Sequence, residues 1–87
     1  MSRNVDDQAY LNFLPTPLHR NRYLRWKGAM LQQLDVILAD LERSNISDVM
    51  SNRGLTPKDV ALLVRLHYVT DEEADKYGLR EVEAMVP

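Results

Sequence analysis

Within nine residues the chain places His19, Arg20, Arg22, Arg25 and Lys27, with Tyr23 and Trp26 between them. Guanidinium and ammonium groups pair with phosphates or carboxylates, and aromatic rings stack on bases or fill apolar pockets. The cluster therefore suits an acidic protein partner or a nucleic acid. A plain solvated helix face is the third reading. In that case the acids crowded into the C-terminal part (Asp71, Glu72, Glu73, Asp75, Glu81 and Glu83) pair with the arginines within one molecule or between two copies. The candidate binding residues are Arg20, Arg22, Tyr23, Arg25, Trp26 and Lys27.

Little else in the sequence has the makings of chemistry. There is no cysteine, which removes thiol catalysis, disulfides and thiolate metal sites. The two histidines, His19 and His67, stand at no zinc spacing, and the cap expected at Thr70 separates His67 from Asp71. The run Asp71-Glu72-Glu73-Ala74-Asp75 lacks the alternating ligands and central glycine of an EF-hand loop. No glycine-rich phosphate loop, set nucleophile or spaced carboxylate pair is present. The expectation is a chain that is not an enzyme and carries no cofactor or metal.

The basic cluster must be positioned by the stretch Pro17 to Arg43. There Tyr23, Leu24, Met30, Leu31, Leu34, Ile37, Leu38 and Leu41 recur at the three-, four- and seven-residue steps that align one face of an α-helix. Thr16-Pro17 starts it, a cap followed by a proline at the first helical position, where no hydrogen bond is lost. Ser44-Asn45 ends it. Gly28 either weakens the middle by about 1 kcal/mol relative to alanine or admits a second backbone. Such a helix is about 40 Å long, more than the diameter of a compact chain of 87 residues.

Shorter elements follow. Ser47 is expected to cap one or two turns ending at Gly54, with Leu55 in contact behind it. Thr56-Pro57 starts a helix to about Tyr68, apolar round most of its circumference and expected to pack against Met30, Leu34, Ile37 and Leu41. Its β-branched residues leave a strand as the alternative. Thr70 and Glu73 form a capping box opening a short helix to Gly78, and Leu79, Val82, Met85 and Val86 suit one or two further turns. Residues 1–15 read as a partly flexible arm whose Tyr10, Phe13 and Leu14 either cap the core or reach another chain. The fold class is all-α, a small bundle of one long helix (about 17–43) with two to four shorter helices, in a single domain over 16–87.

At 87 residues the core is marginal, and oligomerisation is a common remedy. Leu24, Leu31 and Leu38, joined by Leu34 and Leu41, keep a heptad rhythm that permits a homodimer through the long helix, although Lys27 interrupts it. The longest apolar run, Val60 to Val64, is far short of the ~18 residues a membrane span needs, and the polar start lacks a secretory layout. A soluble, cytoplasmic protein is expected. A net charge of −2 does not suggest a strongly basic nucleic-acid surface. The function expected is a small regulator or inhibitor, of bacterial or phage type, that occupies a surface of a larger protein. The alternative is a DNA-binding regulator built on the helix-turn-helix outline from Ser47 to Tyr68, whose second helix offers base edges mainly Lys58, Arg65 and His67.

Overall fold

The computed structural model of the chain describes residues 5–87. Among these the secondary structure is entirely helical, in the order α1 (Gln8–Phe13), α2 (Pro17–Arg43), α3 (Ile46–Arg53), α4 (Pro57–Arg65), α5 (Asp71–Lys76) and α6 (Leu79–Ala84). The all-α expectation of one long helix carrying shorter ones holds. There is one more short helix than the four allowed for, because α1 forms in the stretch read as an arm.

Local chemistry explains most boundaries. Thr16 is extended and its hydroxyl accepts from the His19 amide, with Pro17 at the first helical position of α2. α3 is capped by Asn45, whose side chain accepts from the Asp48 amide, and not by Ser47. Gly54 is left-handed at φ 66, and the Leu55 amide reaches back to the Met50 carbonyl. Thr56 with Asp59 and Thr70 with Glu73 both complete capping boxes.

α4 stops at Arg65, short of the Tyr68 expected. The Tyr68 amide bonds the Leu63 carbonyl at 2.9 Å and the His67 amide bonds that of Val64 at 3.3 Å. This is a Schellman closure in which His67, at φ 60, holds the left-handed position that glycine normally takes. The tight stop turns Tyr68 inward, where it is fully buried.

One core cluster joins the helices, with Met30, Leu34, Ile37, Leu38 and Leu41 of α2 sharing it with Val60, Leu63, Val64, Leu79 and Val82. α4 lies along α6, α5 also abuts α6, and α3 abuts α2. As expected, Val60, Leu63 and Val64 of α4 share their core with Met30, Leu34, Ile37 and Leu41 of α2. Ion pairs tie the periphery: Arg53–Asp40 at 2.6 Å, Lys76–Glu42 at 3.2 Å and Arg65–Glu83 at 2.8 Å.

Burial divides α2 in two. Its buried residues are Tyr23, Met30, Leu34, Ile37, Leu38 and Leu41, so the turns before Gly28 contribute Tyr23 alone. Tyr10 of α1 and Asp7 just before it lie against Tyr23 and Lys27 of those turns.

Candidate functional site

The first half of α2 presents its side chains to two different environments. Tyr23, Trp26 and Lys27 turn inward, and Arg20, Arg22 and Arg25 are exposed. The inward group centres on Asp7, the sole buried polar residue among those described. Asp7 stands at the cap position of α1 but makes no cap bond. Its carboxylate instead accepts from the Tyr23 hydroxyl at 2.7 Å and from Lys27 Nζ at 2.7 Å.

Tyr23 and Tyr68 hydroxyl oxygens are 2.6 Å apart. A phenol has one proton, and an ionised carboxylate only accepts, so Tyr23 donates to Asp7 and Tyr68 donates to Tyr23. The chain of donors runs Tyr68 to Tyr23 to Asp7, with Lys27 closing the far side. Burial works to raise the Asp7 pKa, but the hydrogen bonds from Lys27 and Tyr23 and the lysine charge outweigh it and hold the group below its usual value. Burial and the Asp7 charge push Tyr68 up to about 12. Tyr23 is raised further, again first by burial.

Trp26 extends the cluster towards α4. Its ring stacks on Tyr23 at 5.8 Å and meets Tyr68 edge-on at 5.5 Å, and Tyr10 of α1 meets Tyr23 edge-on at 5.0 Å. The indole N–H donates to Asp59 Oδ1 at 3.0 Å, and Asp59 Oδ2 accepts from the Thr56 amide at 3.0 Å. One carboxylate thus caps α4 and fixes the indole.

Between α1, α2 and α4 this packing leaves an open groove of about 300 Å³. Tyr10, Tyr23 and Trp26 contribute rings, Leu14 and Leu62 aliphatic surface, and Arg22 and Lys58 charge. His19 and Asp59 complete the lining. The His19 ring lies 2.6 Å from the Thr16 hydroxyl. Arg22 and Lys58 form no ion pair with a described residue, nor do Arg20 and Arg25.

The acidic C-terminal part does not answer these arginines. Asp71 and Asp75 pair with Arg80, and Glu83 with Arg65. Of the arm residues, Tyr10 and Leu14 pack against the core and Phe13 is 83 % exposed. Of the heptad leucines, Leu34, Leu38 and Leu41 are buried within this one chain, while Leu24 and Leu31 remain 48 % and 40 % exposed. The Asp7 anchor had no local signature in the sequence. The lysine breaking the apolar rhythm of α2 was the available sign that an acid would be found opposite it.

Among the described residues no helix is long and apolar enough to cross a membrane, and no group of three or more His, Cys, Asp or Glu side chains could hold a metal ion. Compared with protein-family models, curated proteins and solved structures, the chain matches none of them.

Proposed function

We propose that this protein is a small, non-enzymatic binding regulator, which acts by occupying a surface of a larger protein through the corner where α1 meets α2. The observation that carries this reading is the apolar exposure of that corner: Phe13 is 83 % and Leu18 61 % exposed, on either side of Pro15 and Pro17. Large apolar side chains set among cations are the usual anchors and steering charges of a protein interface. Arg20, Arg22 and Arg25 supply the cations and Leu24 further apolar surface.

The DNA-binding alternative draws no comparable support. In α4, Val60, Ala61, Leu63 and Val64 are buried, and Arg65 bonds Glu83 and the Val86 carbonyl. Lys58 is the one basic side chain of that helix left to reach a base.

Site-specific photocrosslinking tests the proposal in the cells that make the protein. Benzoylphenylalanine in place of Phe13 is expected to yield a discrete protein adduct, and the same residue in place of the exposed Gln32 none. A Phe13→Ser chain should melt within about 0.5 kcal/mol of wild type, as surface changes do, yet lose the partner. Adducts with nucleic acid alone, or no adduct from position 13, would refute the reading.

A further inference from the structure

Resting on that reading, we infer that the groove between α1, α2 and α4 receives a peptide segment of the partner that carries one bulky apolar side chain with an acidic residue close to it in sequence. The rings of Tyr10 and Trp26 with Leu14 and Leu62 offer an apolar seat. Small cavities of about 300 Å³ lie at the bottom of the size range for ligand pockets, which suits one inserted side chain better than a large cofactor.

The sign of the charge follows from which groups are already engaged. Asp59 is the one acid in the lining, and both of its oxygens accept protein hydrogen bonds, from the Trp26 indole and the Thr56 amide. Arg22 from α2 and Lys58 from α4 have no such partners. An entering carboxylate meets two cations that pair with no described residue, and Arg22 can hold it in the bidentate manner of a guanidinium. An entering lysine meets a lining of net positive charge, whose acid Asp59 already accepts two hydrogen bonds. Tyr23 is buried and stacked on Trp26, so it has no ring face open to a nucleic-acid base.

Trp26 is the only tryptophan, so its emission reports on the groove directly. The experiment selects displayed random dodecapeptides on the folded chain and titrates the enriched peptides by Trp26 fluorescence. Asp or Glu should lie within three residues of Phe, Tyr, Trp or Leu in the enriched sequences, and affinity should fall as salt rises. Arg22→Ala and Lys58→Ala, both exposed and checked for fold by circular dichroism, should each weaken binding about tenfold, with Arg43→Ala as an unchanged control. Enriched peptides without acids, or full affinity in the Arg22→Ala, Lys58→Ala double variant, would overturn the inference. If no peptide is enriched while position 13 still crosslinks a protein, the corner binds a partner and the groove assignment is wrong. If neither occurs, both fall together.

Discussion

Asp7 illustrates how one side chain can hold an otherwise weak element in place. α1 has six residues and none of them is buried, so it has little of its own to keep it docked. The anchor is the carboxylate between Lys27 and Tyr23, reinforced by the Asp6 amide on the Leu66 carbonyl at 2.9 Å. Asp7→Asn leaves the lysine without its acid and should cost about 2–3 kcal/mol, less than the roughly 3–5 of a fully buried pair because Lys27 keeps 27 % exposure. Chemical denaturation at pH 7 measures it. The folded Asp7 pKa lies below its ordinary 3.8, so its stabilisation is present above that pH and is lost as the pH falls through the folded value. The stability gap between wild type and Asp7→Asn should therefore be full at pH 7 and close in strong acid; a gap that widened there would contradict the assignment. At this scale the sequence was half legible. Tyr23 stood on the core stripe with Met30, Leu34 and Leu41 as well as in the basic cluster, and Trp26 and Lys27 flanked it. What could not be read was the identity of the acid, because Asp7 lies 20 residues away and reaches Lys27 only through the fold.

The helices show which local signals suffice. Thr16-Pro17, Gly54, Thr56-Pro57 and Thr70 with Glu73 each satisfy backbone groups within a few residues, and each set a boundary where the sequence indicated one. α1 and the early stop of α4 were missed for complementary reasons: α1 depends on a distant anchor, and His67 takes a left-handed turn for which glycine is the ordinary cue. His67→Gly should therefore raise stability by about 1 kcal/mol by relieving the left-handed strain, read as a higher thermal midpoint. A lower midpoint would mean that the His67 side chain contributes more than its backbone costs. Gly28, inside α2, is a different case. A Cβ there meets nothing within 4 Å, so no second backbone approaches and the glycine only loosens the helix. Gly28→Ala should add about 0.5–1 kcal/mol, a rise in midpoint of roughly 4–8 °C per kcal/mol for a domain of this size. No gain, or a loss, would show that α2 needs flexibility or contact at that turn.

For the whole molecule the long helix sets the dimensions. Twenty-seven residues at about 1.5 Å each give roughly 40 Å, and the longest extent is 38 Å, so α2 runs nearly the full length. The radius of gyration is 12.8 Å, close to the roughly 12 Å of a compact chain of this length, because five short helices wrap a rod that no single one of them could cover. That wrapping is uneven. The second half of α2 is core, while the first half holds an aromatic cluster inside and exposed arginines outside, beside the exposed Phe13 and Leu18. We propose that binding uses this first half together with α1 and α4. Backbone amide shifts of the isotope-labelled chain, recorded by NMR as the photocrosslinked partner or a selected peptide is added, test it most directly. Perturbations should gather in residues 8–29 and 56–62. Perturbations gathered instead in residues 36–53 or 71–87 would place the binding surface elsewhere and refute that proposal.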